Sequence, residues 1–159
     1  MIADNYHWRR RFTEVVEEVY RQLDFDPPPM THDQEASLVM ELDVEGTKFD
    51  VVHNPSLNAT CCLIEARLGP VQANAPQVVL IKLLTENYIF SKRYDGCFAA
   101  DIKDDTILYN LSLPLESLRG AKLLQVMHEI SVLASDWRRL LSSMEPAASS
   151  AATVSAALA

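Results

Sequence analysis

The sequence predicts an α+β fold, order α-β-β-β-α-β-β-α, with an antiparallel twisted sheet and helices packed on it. Three observations carry this. Amphipathic helical stretches stand near both ends of the chain, and three short runs with period-two alternation and a hairpin of two more lie between them. All the links between these runs, except the one that holds a helix, are too short for parallel crossovers.

At 159 residues, with 48% apolar and 23% charged content, the chain is long enough to bury a core without disulfides or metal. One domain over residues 1–145 is expected, followed by an Ala/Ser-rich tail over 146–159 read as disordered.

The first helix is expected over Tyr6 to Leu23, where Trp8, Phe12, Val15, Val16, Val19 and Leu23 keep i, i+3, i+4 spacing. Its basic run, Arg9-Arg10-Arg11, is followed by Glu14, Glu17 and Glu18 and reads as a solvated face with i,i+4 partners. Pro27-Pro28-Pro29 ends the helix and imposes a stiff, extended link.

Three strands follow. Leu38, Met40, Leu42 and Val44 alternate with Val39, Glu41, Asp43 and Glu45, and Gly46-Thr47 turns the chain. Phe49, Val51 and His53 alternate with Lys48, Asp50 and Val52 until Asn54-Pro55-Ser56 breaks the run. Cys62, Ile64, Ala66 and Leu68 then alternate with Cys61, Leu63, Glu65 and Arg67, and Gly69-Pro70 closes the meander.

After the central helix, Tyr94-Asp95-Gly96 turns into Cys97–Ile102, and Asp104-Asp105 turns again into Thr106–Leu113, which is a hairpin. A long helical pattern from Leu115 to Met144 places Leu123, Met127, Ile130, Ala134, Trp137 and Leu141 along one stripe, with Gly120 as a break near its start.

The central helix, Gln77 to Phe90, departs from the one-sided pattern. Val78, Ile81, Leu84 and Tyr88 recur on one face, while Val79, Leu80, Leu83 and Phe90 spread apolar surface over much of the rest. A helix apolar on more than one side needs more than one neighbour. The chain's own sheet covers one side, and a second copy of the same helix is the simplest cover for the other. A homodimer through Val78, Val79, Leu80, Ile81, Leu83, Leu84 and Tyr88 is therefore expected, with the face that meets the partner left open. The competing reading is a helix covered within one chain by the first and last helices.

The net charge of -8 argues against a phosphate-binding surface, so no nucleic-acid partner is expected. Acid is concentrated between Asp24 and Asp50, where eight carboxylates face only Lys48, a distribution suited to steering a basic partner or simply to solubility. The amino terminus shows no signal-peptide pattern and no apolar stretch approaches a membrane span, so a cytoplasmic protein without membrane insertion is expected. Three cysteines, an odd number with two adjacent, agree with a reducing compartment.

In order and spacing, LLTENYIF followed by a Gly-containing turn, GCFAADI, ILYNLSLPLESL and a closing SDWRRLL resemble the second half of the class I chaperones of bacterial type III secretion, the Tir-chaperone family. The resemblance extends over Trp8 to Leu141; the Pro-rich link and the Ala/Ser tail are not part of it. It implies a homodimer, with the central helix in the dimer contact, that binds an extended amino-terminal segment of a secreted effector protein. The segment would be kept unfolded and soluble and presented to the secretion apparatus without ATP hydrolysis.

An unfolded segment offers unpaired backbone groups and scattered apolar side chains, which a sheet edge and a hydrophobic groove can take. The first helix lying on the meander would make such a groove from Trp8, Phe12, Val16, Leu38, Met40, Leu42, Phe49 and Val51. Met40 is adaptable enough for variable ligands.

No cofactor, metal site or catalytic constellation is expected. The four glycines are isolated, so there is no phosphate loop, and His128-Glu129 lacks the second histidine of a zinc-protease motif. Cys61 and Cys62, adjacent in a strand, point to opposite faces. His32, Asp33 and Glu35 form a polar cluster beside the proline run that reads as loop solvation. The alternative is a small α+β enzyme or small-ligand-binding protein with a pocket between sheet and helices and Cys97, Tyr109 or His53 at its mouth. A third reading is an adaptor that dimerises for assembly only.

Overall fold

The structure, a computed structural model, describes residues 2–30, 33, 35–70, 77–90, 96–101 and 103–143. Its elements are α1 (Ile2–Gln22), β1 (Leu38–Val44), β2 (Thr47–His53), α2 (Pro55–Asn58), β3 (Cys61–Pro70), α3 (Gln77–Phe90), β4 (Gly96–Asp101), β5 (Thr106–Pro114) and α4 (Gly120–Ser143). The predicted order holds, with one short helix added. His32, the turn at Tyr94-Asp95, Ile102 at the end of its run, and the tail from Met144 onward lie outside the described residues.

The strands form one antiparallel sheet in the order β1-β2-β3-β5-β4. Alternation does what it predicts. One face, carrying Met40, Phe49, Val51, Cys62, Ile64, Ala66, Leu68 and Tyr109, is sealed beneath α1 and α4. The other carries Glu41, Asp50, Glu65 and Arg67. From α4, Leu123, Met127, Ile130, Ala134 and Trp137 enter the core as their stripe requires, and Leu141 packs at its margin.

Three local departures have physical causes. Glu45 and Gly46 both take positive φ, 52° and 75°, so the two-residue turn lies one position earlier than expected and Thr47 already belongs to β2. The break after His53 is a helical turn: Pro55 sits at its start and the Asn54 side chain accepts a bond from Ser56 N–H at 3.0 Å. Residues 115–119, expected to be helical, form a turn instead. Leu115 and Leu118 are buried, Leu115 N–H is held by the Thr60 carbonyl at 2.9 Å, and Arg11 donates to both Leu115 and Leu118 carbonyls.

The basic run on α1 is thereby corrected. Arg10 alone is a solvated residue with an i,i+4 partner, bonding Glu14 at 3.0 Å. Arg11 staples the β5–α4 turn. Arg9 is buried and donates Nη2–H to the Ala36 carbonyl, anchoring the link where it enters β1. Burial lowers its pKa against the opposing pull of Asp33.

Candidate functional site

The two ends of the sheet are built differently. At one end, the tight Glu45-Gly46 turn makes Val44 and Thr47 the closing pair, so the pairs that share hydrogen bonds with β2 are those of Val44, Leu42, Met40 and Leu38. The backbone groups of Val39, Glu41 and Asp43 therefore point outward from β1. Among the described residues no backbone group pairs with them. The hairpin is held firmly from behind: Ser131 Oγ donates to Val44 O at 2.9 Å, and Arg138 donates to Gly46 O at 2.9 Å and to Thr47 Oγ1 at 2.6 Å.

Beside this edge lies a concavity of about 250 Å³ between α1, the proline-rich link and β1, lined by Phe12, Val16, Tyr20, Pro28, Met30 and residues 38–41. Its walls are mostly apolar, with Glu41 as the charged member. An open row of backbone donors and acceptors thus runs beside an apolar trough, the two features an extended polypeptide requires.

The eight residues expected to make a groove separate by depth. Phe12, Val16, Leu38 and Met40 line the concavity, Phe12, Val16 and Met40 with little or no exposed surface of their own. Trp8 and Leu42 are half-buried and pack against the core near by. Phe49 and Val51 lie in β2, sealed beneath the helices and away from the opening. The lining residues the sequence reading missed are Tyr20, Pro28, Met30, Val39 and Glu41. Tyr20 continues the Phe12 and Val16 face one turn on, and the proline run sets the link that carries Pro28 and Met30.

At the other end of the sheet α3 lies against β4. Val79 is buried and Leu83 packs on the core, while Leu80, Ile81, Leu84 and Tyr88 are 50%, 52%, 69% and 64% exposed in the single chain. In the single chain the outward side of α3 is therefore the one carrying Leu80, Ile81, Leu84 and Tyr88. The Val78 side chain lies outside the described residues.

The residues considered for pocket chemistry are not brought together. Cys97 is exposed on β4 opposite Asn110, Tyr109 is on the core face opposite Phe98, and His53 is buried two strands from β5. Burial, with Cys61 adding to it, pushes the Cys62 thiol up to about 12, so it is protonated. His128 is exposed and its Nδ1 meets Glu45 Oε1 at 3.0 Å. Among the described residues no group of three or more His, Cys, Asp or Glu is placed to hold a metal ion, and no helix is long and apolar enough to cross a membrane.

His53 supplies a pH dependence. Its Nε2–H donates to Ala59 O at 2.9 Å and its ring stacks on Phe12 at 5.4 Å. Burial lowers its pKa, and the Arg9 charge lowers it further, against the bond to Ala59. The folded chain therefore holds His53 neutral, whereas the unfolded chain takes up a proton near about pH 6.5. Its contribution is complete above that value and is lost as pH falls from there through the folded pKa. Melting temperatures taken from about pH 7.5 to about pH 5 should decline, and the decline should flatten in His53→Leu. An equal decline in the variant would refute this assignment.

The model of the Tir chaperone protein (CesT) family matches residues 14–138. No curated protein matches in sequence. Among solved structures, a chain of the ExsC-ExsE complex is 16% identical, with a TM-score of 0.64 over 83% of this chain and 94% of that one. A chain of the HopA1-SchA chaperone-effector complex is 18% identical, with a TM-score of 0.56 over 81% and 94%. A chain of the heterodimeric ExoU-SpcU complex from the type III secretion system of Pseudomonas aeruginosa is 20% identical, with a TM-score of 0.57 over 84% and 99%. At these identities the likeness is one of fold.

Proposed function

Since the chain belongs to the Tir chaperone protein (CesT) family, we propose that it is a cytoplasmic, homodimeric type III secretion chaperone that holds the amino-terminal segment of a secreted effector in an extended state without ATP. The chaperone-effector complexes among its structural likenesses support an effector as the partner. The observation that carries the reading is the open β1 edge beside an apolar trough.

The bound segment adds as a strand to β1 through the outward groups of Val39, Glu41 and Asp43, and its alternate side chains enter the trough against Phe12, Val16, Met30 and Met40. Leu38 borders the same opening, Trp8 and Leu42 extend its apolar margin, and Phe49 and Val51 support it from the core. Adaptable Met30 and Met40 suit segments of differing sequence. Glu41, the one charged residue lining the trough, favours a basic side chain in the segment beside it.

Dimerisation uses the Leu80, Ile81, Leu84 and Tyr88 face of α3. Since β1 and β4 are opposite ends of a five-stranded sheet, about 19 Å apart at the usual strand spacing, a two-fold contact at α3 leaves both β1 edges outward. One dimer then offers two separate edges to a single extended chain.

The test is co-expression with a secreted protein encoded beside it, followed by purification and limited proteolysis. An amino-terminal segment of the partner should be protected. Val39→Pro removes an outward donor, a change an edge strand tolerates, and should weaken capture about ten- to hundred-fold while the variant remains folded. Undiminished capture by folded Val39→Pro would exclude β1 as the binding edge.

A further inference from the structure

A five-stranded open sheet has two edges, and an unguarded edge accepts any extended chain. At β4 the pattern of pairing with β5 places the groups of Gly96, Phe98 and Ala100 outward, since Phe98 and Tyr109 face each other as a pair that shares no hydrogen bonds. The middle one of these positions is taken. Asn87, on the inward side of α3, donates Nδ2–H to Phe98 O at 2.9 Å and accepts Phe98 N–H on Oδ1 at 2.6 Å.

One carboxamide thus supplies both the donor and the acceptor that a neighbouring strand would present to Phe98. Only Asn or Gln carries such a pair at the end of a side chain. Around it the helix is fastened to the same corner: Val79 is buried, Lys82 Nζ lies 5.8 Å from the centre of the Trp137 ring, and Phe98 packs on Trp137 at 5.2 Å. Asn87 is a polar residue among LLTENYIF whose two polar atoms are both spent on the strand edge.

The geometry points to Asn87 as the guard of the β4 edge: its side chain occupies the outward backbone pair of Phe98 and so confines strand addition to β1. This rests on the proposed function for its biological meaning, since a chaperone that pairs with extended chains must keep its second edge from pairing indiscriminately. It also keeps that edge out of the way of the α3 dimer face.

The test uses the full chain alone. In hydrogen exchange read by NMR, the Phe98 amide should be protected in the wild type and should exchange at least about tenfold faster in Asn87→Ala, while the Cys97 and Ala99 amides, which pair with β5, keep their rates. An unchanged Phe98 rate overturns the proposal. Loss of protection along all of β4 also overturns it, because Asn87 would then merely hold the strand in the sheet.

Light scattering over a concentration series supplies the second reading. Asn87→Ala should form species heavier than the wild type's, and should still do so when Val39→Pro blocks β1. No gain in mass, or a gain that Val39→Pro abolishes, shows that β4 was not the edge released and overturns the guard role. Because neither measurement includes an effector, a failure here is distinct from a failure of effector capture.

Discussion

Gly120→Ala is expected to destabilise the subunit by about 3 kcal/mol, lowering its melting temperature by about 6–12 °C. The sign is the informative part, because Gly→Ala in a helix ordinarily stabilises by up to about 1 kcal/mol. Gly120 opens α4 where it crosses α1 at backbone contact. A Cβ there would stand 2.6 Å from Glu18 Cβ and 2.9 Å from both the Glu18 carbonyl carbon and the Val19 nitrogen. Gly120 N–H also donates to Glu18 Oε2 at 2.7 Å, so the same shift would pull the helix start off its acceptor. Glu18→Gly removes one of the three contacts and leaves the two backbone ones, so it should not rescue the variant. A melting temperature equal to or above the wild type's would show that the crossing has room to spread.

How much of this was legible in the sequence follows from what each residue answers to. The five strands were readable because each has one sealed and one wetter face, so composition alternates with the backbone. The α4 stripe was readable for the same reason at helical period, and the resemblance identified the family before any coordinates. Residues 115–119 misled because Leu115 and Leu118 continue an apolar rhythm, although they reach the core from a turn held by Thr60 and Arg11, distant in the chain. Arg9 misled for the complementary reason, as its burial depends on where the link returns to α1.

The candidate site was legible in kind more than in detail. The sequence supplied the α1 and β1 residues of the trough, but the depth of Phe49 and Val51 is set by β2 being an inner strand under both helices. For α2 and for α3 a signal existed that went unused. Asn54-Pro55 is a helix start as much as a strand end, and Asn87 marked the inward side of a helix whose apolar pattern gave no direction.

In the proposed homodimer, Leu84→Asp and Ile81→Asp should each release a folded monomer. Both side chains are more than half exposed in the subunit, so each substitution costs the isolated fold little. At a two-fold contact each change occurs twice. It removes apolar burial worth about 1.5–3 kcal/mol per side chain and places a carboxylate in an apolar contact. Even about 3–5 kcal/mol in total weakens the dimer about 100- to 5,000-fold, enough to empty it at micromolar concentration. Size-exclusion chromatography with light scattering reads the mass, and the melting temperature reads the fold. Leu83→Asp serves as the contrast: half-buried and packed on the core, it should lower the melting temperature as Ile81→Asp and Leu84→Asp do not. An intact dimer in both Ile81→Asp and Leu84→Asp would remove this face of α3 from the interface. The second subunit would then have to meet the chain elsewhere.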